Sequence, residues 1–99
     1  MAEVKWTLQA LDDLESICLF SGRDSPQAAA VLAQRAFRST DPLVNFARFG
    51  KVVPELETEN IREIILGNYR VIYRIENDQV QVLTVHHGAR LLDVGKLGG

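Results

Sequence analysis

Apolar and polar positions alternate along two long runs in the C-terminal half of the chain. At residues 69–76 the order is Tyr-Arg-Val-Ile-Tyr-Arg-Ile-Glu, and at 79–86 it is Gln-Val-Gln-Val-Leu-Thr-Val-His. Both are rich in β-branched and aromatic residues and are separated by Asn77-Asp78, the pattern of two strands joined by a two-residue hairpin turn. With Asn77 and Asp78 as the turn, Glu76 faces Gln79, Ile75 faces Val80, Tyr73 faces Val82 and Val71 faces Thr84. Strict alternation then puts Val71, Tyr73, Ile75, Val80 and Val82 on one nearly apolar face. Arg70, Ile72, Arg74, Gln81, Leu83, Val85 and His87 fall on the other. A third strand is predicted at Ile61–Leu66, with Gly67-Asn68 as its turn, and a short one at residues 51–53, stopped by Pro54. Residues 55–60 read as an acidic turn.

The N-terminal half changes period. After a short predicted strand at residues 4–6, Thr7 is placed to cap a helix whose apolar stripe is Ala10, Leu11, Leu14, Ile17 and Cys18. Gly22 is the expected stop at the C′ position. Ser25-Pro26 opens a second helix, Ser as cap and Pro in the first turn. Its buried face is expected at Ala29, Leu32, Ala33, Ala36, Phe37 and Thr40, with Asp41-Pro42 disturbing its end. Two amphipathic helices with a short connection make an antiparallel hairpin. The layout is an α+β domain: an N-terminal strand and a helical hairpin packed on a small antiparallel sheet. The helices cover the apolar face, and the Arg70/Arg74/His87 face is left open, with Ile72 and Leu83 as apolar seats for a partner.

Composition narrows the classes. Ninety-nine residues form a single domain, 1–99, with 94–99 as a loose tail. A hydrophobic fraction of 46% is that of a globular chain, and a net charge of −2 is not that of a general nucleic-acid binder. Eight arginines against three lysines fit planar, multi-donor recognition of carboxylate or phosphate, and equally a soluble surface. Cys18 is the single cysteine and is expected to be a small buried thiol, which leaves no disulfide and no cysteine-rich metal site. No metal or cofactor is expected: His86 and His87 are adjacent and point to opposite faces of a strand, and no phosphate loop or dinucleotide motif is present. The N-terminus has no signal-peptide layout and no run is long and apolar enough to span a membrane, so a cytoplasmic protein is expected.

One constellation could carry chemistry: Lys51, Arg62, Arg70, Arg74, His87 and Arg90. Arg and Lys can stabilise a phosphate in flight, and His can move its proton near neutral pH. The alternative is an ordinary polar sheet face whose cations pair with Glu55, Glu63 and Glu76. Both readings stand on spacing alone. Tyr69, Tyr73 and Trp6 are expected to be packing residues, and Glu63 a cross-strand ion partner.

In the order and spacing of these pieces the chain resembles the RelE/ParE superfamily of toxins from bacterial type II toxin–antitoxin modules. The resemblance spans nearly the whole chain. It rests on Trp6-Thr7 with Ala10, Asp13-Leu14 and Ile17, on Ser25-Pro26 with Ala29, and on Phe46 and Gly50-Lys51-Val52-Val53-Pro54-Glu55-Leu56. It is strongest in Ile61-Arg62-Glu63-Ile64, Tyr69-Arg70-Val71-Ile72-Tyr73-Arg74 and His87-Gly88-Ala89-Arg90. Ala47 departs from it, where the family often has proline.

The resemblance implies an α+β toxin held by a cognate antitoxin, and one of two activities. ParE-like members poison DNA gyrase; RelE-like members cleave mRNA on the ribosome. A tyrosine near the C-terminus and a strongly basic face, which RelE-like nucleases share, are missing here: no aromatic residue follows His87. The wording is closer to ParE. A non-enzymatic gyrase poison is therefore the expectation, with no catalytic residues. The alternative is a metal-independent mRNA interferase using Lys51, Arg62, Arg70, His87 and Arg90.

Overall fold

The computed structural model describes residues 1–88, so Arg90 and the 94–99 tail lie outside the described residues. The elements run β1 (Glu3–Trp6), α1 (Leu8–Ser21), α2 (Pro26–Ser39), β2 (Lys51–Val52), β3 (Ile61–Leu66), β4 (Tyr69–Glu76) and β5 (Gln79–His87). One turn of 3-10 helix at Asp41–Val44 follows α2, where Pro42 cannot continue α-helical hydrogen bonding. The caps are the expected ones. The Thr7 hydroxyl accepts from the Ala10 N–H at 3.1 Å, and the Ser25 hydroxyl accepts from the Ala28 N–H at 3.2 Å. Gly22 follows α1 as expected, but with an ordinary right-handed φ of −75°. Its lack of a side chain serves helix contact instead, because an added Cβ would stand 3.3 Å from that of Ala29.

The sheet has the order β1-β5-β4-β3-β2. It is antiparallel from β2 to β5, and β1 joins parallel to β5. The antiparallel meander is the expected one, and the N-terminal strand makes the sheet mixed: the helical hairpin carries the chain from β1 to β2 at the far edge, and the meander brings β5 back alongside β1 in the same direction. The core lies between the helices and one sheet face. Ala10, Leu14, Ala36, Leu43, Val71, Tyr73, Val80, Val82 and Val85 are buried there, with Trp6, Ile17, Cys18 and Leu32 half-buried around them. The predicted helical stripes are only partly covered, since Leu11 and Phe37 stay 40% and 43% exposed. Phe37 leans on Trp6 with ring centroids 4.8 Å apart.

The β4–β5 hairpin turns at Asn77, which takes the left-handed φ of 55°. Pairing follows the expected register from Glu76↔Gln79 to Tyr73↔Val82 and then shifts. Ile72 faces Thr84 and Val71 faces Val85, so β5 spends one extra residue, Leu83, in a β-bulge. The Thr7 hydroxyl fastens this point, donating to the Val82 carbonyl at 2.8 Å and lying 3.2 Å from that of Leu83. Thr84 donates to the Asp13 carboxylate of α1. The bulge overturns two placements made by continued alternation. Val85 joins the main core, and His87 stands opposite Tyr69 instead of beside Arg70.

The second face is not open either. Ile72 is fully buried and Leu83 is 6% exposed. They form a small second core with Val53, against which Leu56 and Ile61 pack. The segment after β2 folds back over the sheet, with the Val53 N–H donating to the Ile61 carbonyl at 3.1 Å. Ile72 and Leu83 are therefore not exposed seats for a partner.

Candidate functional site: the Arg70 cleft

Arg70 lies on the second face near the β3–β4 turn, and its environment follows from the strand register. Ile65 lies directly opposite it on β3 and His86 on β5. Glu63, two residues from Ile65, points to the same side of the sheet. The guanidinium is held on two edges. Its Nη1 and Nη2 donate to the two oxygens of Glu55 at 2.7 and 2.8 Å, an end-on fork. Its Nε and Nη2 donate to one oxygen of Glu63, at 2.8 and 2.5 Å. Lys51 stands 3.7 Å from the other oxygen of Glu63.

Burial makes the loss of either partner in this network costly. The side chains of Arg70 and Glu63 are 11% and 3% exposed, so neither charge is well solvated. Glu55 sits further out, at 32% exposure, on the turn after Pro54. Its hydrogen bonds from Arg70 hold its carboxyl at a pKa of about 2, below the ordinary 4.5, with lesser help from the charge of His86. The same pairing raises the Arg70 pKa, chiefly through Glu55. Two cations, Lys51 and Arg70, thus face two carboxylates, Glu55 and Glu63. A cleft of about 390 Å³ opens beside the cluster at the β3–β4 turn end of the sheet, bordered by Ile65, Gly67, Tyr69, Arg70 and His87.

The other candidate cations are placed as follows. Arg62 pairs with Tyr73 and so faces the helical side of the sheet, away from Arg70. It is 12% exposed and tied down, donating to Glu59 at 2.7 Å and to the Gly50 carbonyl at 2.9 Å. Arg74 donates to Gln81 at 2.9 Å and lies 3.7 Å from Glu76. His87 packs edge-on against Tyr69, ring centroids 5.4 Å apart, and reaches the cleft from the end of the sheet. Of the expected partner-binding face, Arg70, Ile72, Arg74, Gln81 and Leu83 share one side, while Val85 and His87 do not. Of the expected nuclease set, Lys51 and Arg70 share one side, Arg62 and His87 the other.

The ion pairing expected for Glu55, Glu63 and Glu76 is present in each case. The position of His86 opposite Arg70 was hidden by the bulge, and nothing in the alternation of residues 79–86 marks where the register shifts. Among the described residues no group of three or more His, Cys, Asp or Glu side chains is arranged to hold a metal ion.

Tyr73 organises the neighbouring loop. Its hydroxyl donates to the Ala47 carbonyl at 2.7 Å and accepts from the Gly50 N–H at 2.9 Å. The loop presents Phe46 and Phe49, which are 67% and 62% exposed. The helical hairpin carries more exposed apolar side chains: Leu8, Leu19, Phe20 and Val31, at 75, 69, 68 and 53%. Among the described residues no helix is long and apolar enough to cross a membrane.

Comparison with known proteins agrees with this architecture. Residues 4–92 match the family described as the ParE toxin of the type II toxin–antitoxin system, parDE. The chain is 34% identical over 92 residues to Toxin RelE2 of Caulobacter vibrioides, covering 92% of this chain and all of that one. It superposes on a chain of the chromosomal ParDE toxin–antitoxin system from P. aeruginosa with a TM-score of 0.74 at 24% identity, covering 88% and 96% of the two chains. A chain of the toxin–antitoxin complex RelBE2 from Mycobacterium tuberculosis superposes with a TM-score of 0.58 at 26% identity, covering 90% and 93%. With a family match over nearly its whole length and the fold those structures share, the chain belongs to the ParE toxin family of type II toxin–antitoxin systems.

Proposed function

We propose that this toxin acts in the bacterial cytoplasm on DNA gyrase, without catalysis of its own, and is neutralised by a cognate antitoxin. The observation that carries the choice of target is the pairing of Arg70 with both Glu55 and Glu63. An mRNA interferase needs unpaired cations to meet the scissile phosphate, since phosphate neutralisation dominates affinity for RNA. Here Lys51, Arg62 and Arg70 each already meet a carboxylate, at 3.7, 2.7 and 2.5 Å. The overall charge of −2 points the same way.

The antitoxin is expected to cover the apolar side chains of the helical hairpin, Leu8, Leu19, Phe20 and Val31, by laying an amphipathic segment along them. Ile72 and Leu83, being buried, offer it nothing.

The test is a supercoiling assay with purified toxin and gyrase. Stabilised DNA breaks at toxin excess, abolished by antitoxin, are the expected result. Intact DNA and full supercoiling at toxin excess would sink the gyrase reading. Ribosome-dependent cleavage of mRNA, lost in His87→Ala, would replace it with the interferase.

A further inference from the structure

The two carboxylates on Arg70 are not equivalent. Glu63 belongs to β3, is 3% exposed, and sits on the Nε side of the guanidinium. Glu55 belongs to an irregular turn, is 32% exposed, and takes Nη1 and Nη2 end-on, one oxygen to each. That end-on fork is the geometry in which a guanidinium receives two oxygens of a phosphate. Glu55 thus occupies, in shape and in charge, the place of a phosphodiester. Around it stand the other parts of such a site. Lys51 is 64% exposed and 3.7 Å from Glu63, and the cleft of about 390 Å³ lies beside them, within the size range of small-ligand sites.

We infer that the Arg70 cleft is a latent phosphodiester-binding site, and that Glu55 is the residue that keeps single-stranded nucleic acid out of it. With Glu55 in place the four charges of Lys51, Arg70, Glu55 and Glu63 cancel, and an incoming phosphate meets a carboxylate held ionised. Without the Glu55 charge the cluster carries a net positive charge, and the outer edge of Arg70 faces the cleft. The inference rests on the reading above that the wild-type toxin does not act on RNA, and it supplies a physical reason for that choice of target.

The experiment compares wild type, Glu55→Gln and Glu15→Gln by fluorescence anisotropy with labelled single-stranded RNA and with DNA of the same sequence. Glu15 is exposed on α1, which packs against the opposite side of the sheet, so its substitution removes the same charge from a remote place. Glu55→Gln is expected to bind both strands about tenfold or more tightly than Glu15→Gln at low salt, a difference of about 1.4 kcal/mol. Its salt dependence should steepen by about 0.7 for the one phosphate gained. Adding Lys51→Ala should return most of the gain. Glu55→Ser, which suits a turn, serves if the Gln variant melts early by circular dichroism.

Equal binding by the folded Glu55 and Glu15 variants overturns the inference and leaves the gyrase reading standing. Tight RNA binding by the wild type overturns it as well. RNA cleavage by the wild type overturns the gyrase reading too.

Discussion

The hydroxyl of Tyr73, in the middle of β4, accepts a hydrogen bond from the backbone N–H of Gly50 at 2.9 Å and donates one to the Ala47 carbonyl at 2.7 Å. The contact is close: a Cβ on Gly50 would stand 2.8 Å from the Tyr73 oxygen and 2.6 Å from the Glu63 carbonyl oxygen. Burial pushes the Tyr73 pKa up, so the phenol stays a donor at any ordinary pH. Tyr73→Phe strands a buried N–H and a carbonyl and is expected to cost about 1–3 kcal/mol in urea unfolding. Gly50→Ala is expected to cost about as much by overpacking. A Tyr73→Phe variant as stable as wild type would show that the loop does not depend on this hydroxyl.

Arg70 and Glu63 should behave as a unit. Arg70→Met leaves the buried Glu63 without its main partner, and the expected loss is about 3–5 kcal/mol. Arg70→Met combined with Glu63→Leu removes both charges from the low-dielectric site and should recover most of that loss. Urea denaturation of the two single variants and the double variant closes the cycle. Additive losses would mean that the pair is not coupled.

Acid should weaken the fold through Glu55. Its folded-state pKa, about 2, lies below the ordinary 4.5, so the folded chain binds fewer protons there than the unfolded chain. The contribution is complete above about pH 4.5 and is lost as the pH falls from there towards 2. Thermal melts across that window should show a smaller drop for Glu55→Gln than for wild type. Parallel curves would contradict the assignment.

Leu83 and Ile65 offer a contrast between two leucine-sized residues on the same sheet. Leu83 is 6% exposed within the second core, and Ile65 is 55% exposed beside the cleft. Leu83→Ala is expected to cost about 2–5 kcal/mol, whereas Ile65→Ala should stay within about 0.5 kcal/mol of wild type. Chemical denaturation separates them; similar losses would place Leu83 outside a packed core.

Local patterns made much of this molecule legible. The caps Thr7 and Ser25, the Asn77-Asp78 turn and the 69–76 strand are decided by neighbours a few residues apart, and each stands where alternation or helical spacing puts it. The pairing of cations with Glu63 and Glu76 was readable as one of two alternatives, because charged residues on one strand face need nearby partners. The order of the motifs, taken together, was enough to mark the toxin family.

The tertiary structure alone decided three things. It inserted Leu83 as a bulge, because Val82 and Val85 must both enter the core beneath α1 although an odd number of steps separates them. That insertion moved His87 off the Arg70 face and put His86 there. It folded the segment after β2 over Ile72 and Leu83, covering a face that alternation leaves open. And it brought Glu55, 15 residues away in the chain, onto Arg70. Sequence pattern carries the period of each element. It does not carry where a period breaks or which distant segment returns to cover a face, because those are settled by the packing of the whole chain.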